Sequence, residues 1–296
     1  MDRYAVIGQP ISHSKSPAIH ALFARQTNQP LSYEAIEIAP AALAEHLQRL
    51  HEEGLLGSNV TLPHKQAVAK LCESVTERAQ LAGAVNTLVR TDTGWTGDNT
   101  DGEGFINDLA RLGIMLTGRR VLVLGAGGAT RGILGPLLAA RPSLLVVSNR
   151  NPWKPEELAE TFKPHGTIVP RTHVALKGDR YDVIINATSA GHDGALPMLP
   201  GPLLADGGDC YDLSYGAASQ PFCKWSRSQK AARSSDGLGM LVEQAASSFE
   251  RWRGVRPDTG PVLAELRRQM GPAGPCEPVG GHQPVNHRHV ELPPQD

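Results

Sequence analysis

The chain has 296 residues, enough for two ordinary domains, with 40% apolar and 20% charged residues and a formal net charge of −1. The balanced charge excludes the basic excess that a nucleic-acid or anionic-membrane partner would demand, and leaves a small molecule held in a shaped cleft as the partner class. No window has the apolar length of a membrane span, and the N-terminus MDRYAVIGQP lacks the apolar core and cleavage site of a signal peptide, so a cytoplasmic protein is expected. Cys72, Cys210, Cys223 and Cys276 are scattered with no C-x-x-C pairing and are expected to be reduced thiols.

In chain order, YAVIG (4–8) predicts a buried strand, and SPAIHALFARQTN (16–28) a helix with Ser16 as N-cap and Pro17 at the first helical position. SYEAIEI (32–38) alternates as a strand, PAALAEHLQRLHEEG (40–54) is helical, GSNVTL (57–62) is a strand and KQAVAKLC (65–72) a helix. AVNTLVRT (84–91) is a further strand, and GWTGDNTDGEGF a glycine-rich turn region. From about residue 105 the pattern restarts: FINDLARLGI is a helix, RRVLVLG a continuous apolar strand, GATRGILGPLLAA a helix, SLLVVSNR a strand and PEELAETF a helix. YDVIINAT and GDCYDLSY are two more strands, and MLVEQAASSFERWRG (240–254) an amphipathic helix that could return to the first half. Strands and helices alternating at these spacings predict an α/β fold with largely parallel sheet, in two domains with a cleft between them. The last stretch, from Gly271 to Asp296, is dense in Gly and Pro, without apolar periodicity, and is expected to be a disordered tail; the spacing of its Cys276, His282, His287 and His289 fits no standard metal motif.

VLVLGAGGATRG (121–132) runs from a buried strand through a glycine-rich turn into a helix. Gly125 permits the tight turn, Gly127 and Gly128 let the backbone approach a pyrophosphate, and the helix N-terminus supplies oriented N–H donors. Thr130 stands where the third glycine of the dinucleotide fingerprint would be. The next strand ends in VVSNRNPWK, without the acid that accepts bonds from the ribose of NAD but with Asn149, Arg150 and Lys154, a set suited to a 2′-phosphate; NADP is therefore favoured.

In the N-terminal half, hydroxyls and amides at several segment ends (Ser12, Ser14, Ser16, Thr61, Asn86, Asn99) suit a polyol ligand. Ser16 could equally be a helix cap, Asn86 could satisfy a turn, and Asp101 could cap a helix beginning near Gly104. Lys65 and Asp101 could form an acid/base pair that gives a proton to a ketone oxygen as hydride reaches carbon; an ordinary salt bridge explains the two residues as well.

The ordered set GQPISHSKSPAIHALF, NVTLPHK, GAVNTL, DNTDGEGF, GAGGATRG, SNRN, NATSAG, YDLSY and DGLGMLVEQAASSFERW resembles the shikimate dehydrogenase family over residues 4 to 254. The resemblance implies reversible NADPH-dependent reduction of 3-dehydroshikimate to shikimate, in the pathway to aromatic amino acids. It implies a substrate domain over 1–101, completed by a returning helical segment 238–268, and a Rossmann-like NADP-binding domain over 102–237. It implies Lys65 as catalytic proton donor and acceptor with Asp101 as partner, and Ser14, Ser16, Thr61, Asn86, Asp101, Tyr215 and Gln244 as substrate contacts. The cofactor would be held by Gly125, Ala126, Gly127, Gly128 and Ala129, by Asn149, Arg150 and Lys154, and by Thr188, Leu213 and Gly237, with Glu77 at a position the family associates with the cofactor. Where Lys154 stands the family often has arginine, and Gln220 stands where threonine is usual before Pro221. A monomer or homodimer is expected. The alternatives are a quinate/shikimate dehydrogenase with relaxed NAD and NADP use, and a metabolite-binding regulator without catalysis; the presence of Lys65 and Asp101 argues against the second.

Overall fold

The computed structural model describes residues 1–271 and 276. The chain runs β1 (Asp2–Gly8), α1 (Ser16–Gln26), β2 (Leu31–Glu37), α2 (Leu43–Glu52), β3 (Gly57–Val60), α3 (Lys65–Ala69), β4 (Ser74–Val75), α4 (Glu77–Ala82), β5 (Thr87–Arg90) and β6 (Trp95–Asp98). These six strands form one sheet in the order β2-β1-β3-β5-β6-β4. β1 pairs in parallel with β2 and β3, whereas β5 is antiparallel to both β3 and β6. The largely parallel sheet expected is, in this half, a mixed one. The reversal brings the amino end of β5 and the carboxyl ends of β1, β3 and β6 to one edge.

The second half comprises α5 (Asp101–Arg111), β7 (Arg120–Leu124), α6 (Gly128–Ala139), β8 (Leu144–Asn149), α7 (Trp153–Phe162), β9 (Val169–Thr172), β10 (Tyr181–Asn186), β11 (Leu204–Asp212), α8 (Gln220–Ser228) and β12 (Arg233–Ser235). Its sheet is parallel throughout, in the order β12-β11-β10-β7-β8-β9. That is the doubly wound arrangement, with its topological switch between β7 and β10, where dinucleotides lie. β7, β8 and β10 read as continuous apolar runs because helices cover both faces: Ile133, Leu137, Leu158 and Phe162 pack on one side, Leu176, Leu203 and Phe222 on the other.

α9 (Leu238–Arg253) and α10 (Thr259–Met270) follow. Phe249, Val242 and Leu263 pack with Ile19 and Phe23 of α1, and the Trp252 indole donates to the Leu88 carbonyl at 2.9 Å. The chain thus returns from the second sheet to the first. Gly254, in the left-handed region, ends α9. No helix among the described residues is long and apolar enough to cross a membrane.

Three local expectations need correction. Ser16 is the first helical residue and Pro17 the second; Lys15 occupies the cap position, and no side chain caps the helix. The glycine-rich region contains β6 and the start of α5, so Asp101 opens its helix rather than capping one near Gly104. Cys223 of α8 and Cys276 are not scattered apart but lie side by side with Cα atoms 5.2 Å apart, within reach of a disulfide, while Cys72 and Cys210 are free. The pair lies 53 residues apart, a separation from which no proximity could be read. The expected tail, including His282, His287 and His289, otherwise lies outside the described residues.

Candidate active site

Lys65 is the first residue of α3. Its backbone is tied from two directions, by the Val85 amide donating to its carbonyl at 2.8 Å and by the adjacent buried His64, whose Nε2 bonds the Ile38 carbonyl at 2.7 Å. Its Nζ donates to Asp101 Oδ2 at 2.6 Å. The two side chains are 28% and 17% exposed, so the pair is sheltered enough to strengthen its attraction yet open to a ligand. Asn86 Nδ2 donates to the other oxygen, Asp101 Oδ1, at 2.8 Å and reaches Gln244 Oε1 of α9 at 3.3 Å. The Asp101 amide donates to Asn99 Oδ1 at 3.0 Å, which fixes the carboxylate from its own turn.

Below this pair runs a buried polar ladder. Asn59 donates to Ser248 Oγ at 2.9 Å, Thr87 and Ser248 share a bond of 2.7 Å, and Thr100 Oγ1 donates to the Gln244 carbonyl at 3.0 Å. Asn59 Oδ1 accepts from the Tyr33 hydroxyl at 2.8 Å and faces His20 Nε2 at 3.2 Å. Tyr33 is half-buried, and desolvation of its hydroxyl pushes the phenol well up, opposed by a hydrogen bond with Ser16. Ser16 is thereby joined through Tyr33 and Asn59 to the strand end that carries Asn86. Ser14 Oγ accepts from the Ser16 amide at 3.3 Å, and Thr61 follows β3, its amide bonded to Ile7 at the end of β1. Tyr215 arrives from the second half and packs on the α1–α9–α10 cluster. Hydroxyl, amide, ammonium and carboxylate groups thus gather along one edge of the first sheet, an assembly able to bind several hydroxyls and to move one proton.

Across from it, Gly125 (φ +103°) makes the turn after β7, where an added Cβ would lie 2.8 Å from the Ala187 carbonyl. Thr130, at the third fingerprint position, donates its hydroxyl to the Gly125 carbonyl at 2.9 Å and locks that turn. An added Cβ at Gly127 or Gly128 would meet nothing within 4 Å, so open space stands over the N-terminus of α6 where a pyrophosphate would sit. The residues therefore fit a dinucleotide. Arg150 and Lys154 are exposed beyond β8, and Asn149 Oδ1 holds the Asn151 amide at 3.0 Å. At the ends of β10 and β11, Asn186 donates to Asp212 at 2.9 Å. Thr188 Oγ1 donates to Asn186 at 2.8 Å and Ser214 Oγ to Asp212 at 2.7 Å. Burial pushes the Asp212 carboxyl up to about 6. An added Cβ at Gly237 would collide with the Leu213 carbonyl, so Thr188, Leu213 and Gly237 form one neighbourhood.

Glu77 is exposed at the start of α4 and lines a cavity of about 230 Å³ with Asn99, Gly102, Arg131, Gly132 and Pro136, on the flank of α6. Thr100 and Asn59 were not singled out from the sequence, although both bond site residues; Thr100 sits inside the DNTD run, between Asn99 and Asp101, and that position was its only signal.

Three family models match the chain. The shikimate dehydrogenase substrate binding domain matches residues 6–88, the shikimate / quinate 5-dehydrogenase model residues 108–193, and the shikimate 5'-dehydrogenase C-terminal domain residues 237–267. The chain is 51% identical over 269 residues to the shikimate dehydrogenase (NADP(+)) of Thioalkalivibrio sulfidiphilus, covering 90% of this chain and 98% of that one. It is 50% identical over 270 residues to that of Methylococcus capsulatus, covering 90% and 97%. Among solved structures it resembles the shikimate 5-dehydrogenase of Thermus thermophilus in complex with NADP(H) and shikimate, with TM-score 0.79 and 34% identity over 90% of this chain and 99% of that one.

Proposed function

The chain belongs to the shikimate dehydrogenase family, and on that premise we propose that it catalyses the reversible NADPH-dependent reduction of 3-dehydroshikimate to shikimate, with Lys65 and Asp101 moving the proton. The observation that carries the residue assignment is the 2.6 Å contact between Lys65 Nζ and Asp101 Oδ2, beside Asn86 and Gln244. NADPH, when bound, supplies the hydride to the ketone carbon. Lys65 donates a proton to the ketone oxygen in the same step, so C=O becomes CH–OH, and takes that proton back in the oxidation direction. Asp101 holds the ammonium on its stem, and Asn86 holds Asp101 by its other oxygen, so the donor is oriented before substrate arrives.

Ser14, Ser16, Thr61, Asn86, Tyr215 and Gln244 are assigned to the hydroxyls and carboxylate of the substrate. Gly125 to Ala129 take the pyrophosphate, Asn149, Arg150 and Lys154 the adenosine phosphate, and Thr188, Leu213 and Gly237 the nicotinamide end. Glu77, on the flank of α6, is the outlying member of the cofactor set. In this reading residues 1–101 with 238–268 form the substrate-binding part and 102–237 the NADP-binding part, a division supported by the two separate sheets. Arg150, with no acid at the end of β8, supports NADP over NAD. Initial rates with shikimate or quinate, each with NADP⁺ or NAD⁺, test the assignment: the shikimate–NADP⁺ pair gives the highest kcat/KM, and quinate or NAD⁺ ahead of it would contradict the reading.

A further inference from the structure

Two arginines outside the proton-transfer pair grip the turn that carries Asp101 from both ends. Asp98, the last residue of β6, is buried; its carboxylate accepts from Thr76 Oγ1 at 2.7 Å, from Arg78 Nε at 2.6 Å, and from Arg78 Nη2 and Arg251 Nε. Glu103, in the first turn of α5, accepts from Arg78 Nη1 at 2.8 Å, Arg251 Nη2 at 3.0 Å and Ser247 Oγ at 2.8 Å. Each guanidinium therefore spans the same two carboxylates, Arg78 from α4 and Arg251 from α9. Between those carboxylates lie Asn99, Thr100, Asp101 and Gly102.

We propose that Arg78 and Arg251 are positioning residues for the reaction: their paired forks fix the spacing between Asp98 and Glu103 and so hold the Asp101 carboxylate against Lys65. The inference rests on the reading of Lys65 and Asp101 as the proton-transfer pair. A guanidinium is planar and presents its donors in a fixed fork, so two of them set a distance that a single-point ammonium cannot. Burial pushes the Asp98 carboxyl up, but the bonds from Arg78 and Thr76 outweigh it and hold the group below its ordinary value. Arg251 lies seven residues after Gln244 on α9, two helical turns along the same face, so one helix sets both the substrate-facing amide and the grip on the catalytic turn. Arg256, which bonds Glu243 at 2.8 Å, ties the end of that helix back on itself.

The test compares Arg251→Met, Arg251→Lys and Glu103→Gln with the wild type in the full chain. It reads kcat, KM for shikimate, the isotope effect with shikimate deuterated at the carbon that is oxidised, thermal stability, and the rate at which trinitrobenzenesulfonate labels Lys65 relative to the other lysines. Displacing Asp101 by a fraction of an ångström should lower kcat about ten- to a hundredfold in Arg251→Met while KM changes less than about threefold. The isotope effect should rise, Lys65 should label about fivefold faster once its carboxylate partner is loosened, and Arg251→Lys should recover part of kcat. Wild-type kcat, isotope effect and Lys65 labelling in a merely less stable Arg251→Met would overturn the proposal. If Arg251→Met does not fold, Glu103→Gln, which is partly exposed, is read the same way, and unchanged kcat and labelling there overturn it. A wild type inactive with shikimate would refute the functional reading, and the labelling arm would still decide the positioning.

Discussion

Asn86 donates a hydrogen bond to Gln244 at 3.3 Å, although 158 residues separate them. One enters a strand of the first sheet; the other stands on the helix that follows the second. Gln244 sits against the amide that holds Asp101, and Gln244→Ala removes an uncharged hydrogen-bonding group from the substrate set. The KM for shikimate should rise about tenfold, the equivalent of about 1.4 kcal/mol, while the KM for NADP⁺ stays within twofold or so of wild type. Parallel titrations of the two substrates check this.

The glycines after β7 should separate into two classes. Gly127 has φ −102° and open space around an added Cβ, so Gly127→Val should fold, with stability within about 1 kcal/mol of wild type, and yet lose about tenfold or more in NADPH affinity by filling the pyrophosphate space. Gly125 has φ +103° and a carbonyl in the way, so Gly125→Ala should lower thermal stability as well. Melting curves and fluorescence titration with NADPH tell the two apart.

Arg150→Ala should reduce discrimination between the cofactors. The expected loss in kcat/KM for NADP⁺ is about tenfold or more, with little change for NAD⁺, because only the former carries the phosphate that a guanidinium would fork onto. Equal losses with both cofactors would show that Arg150 acts on something other than the 2′-phosphate.

His20 predicts an acid limb of stability. Burial lowers its pKa to about 3, opposed by the Asn59 bond, whereas the unfolded chain takes up a proton near 6.5. Stability from this group is therefore complete above pH 6.5 and is lost as pH falls toward 3, at about 1.4 kcal/mol per unit. Asp212 has the opposite sign: raised to about 6, its contribution is complete below its unfolded value of 3.8 and is lost as pH rises through 6. The difference between wild type and His20→Phe isolates the first effect. Denaturation free energies from pH 7 to 4 should show the slope smaller by about one proton in the variant, and parallel curves would contradict the assignment.

What could be read from the sequence followed the strength of local pattern. β7, β8 and β10 were legible because strands covered on both faces are apolar throughout, and the Gly125–Gly128 turn because a strand feeding a helix leaves a chemical signature. β6 was hidden inside GWTGDNTDGEGF, since Gly94 and Gly97 read as turn; its strand character comes from pairing with β5. β12, Arg233 to Ser235, is a strand only because β11 lies beside it. In the site, the residue types of Lys65 and Asp101 allowed either a salt bridge or a proton relay. The grip of Arg78 and Arg251 on Asp98 and Glu103 was out of reach, because α4 and α9 meet that turn only after the chain has folded back.

The central claim is that Lys65 moves the proton in an NADP-dependent oxidation of shikimate. Absorbance at the reduced-nicotinamide band, with purified protein, shikimate and NADP⁺, and with Lys65→Ala alongside, tests it most directly. Wild type should produce NADPH, while the variant binds shikimate in calorimetry yet turns over about 10²–10⁴-fold more slowly. Equal turnover by the two proteins, or a folded wild type silent with shikimate, would contradict the account.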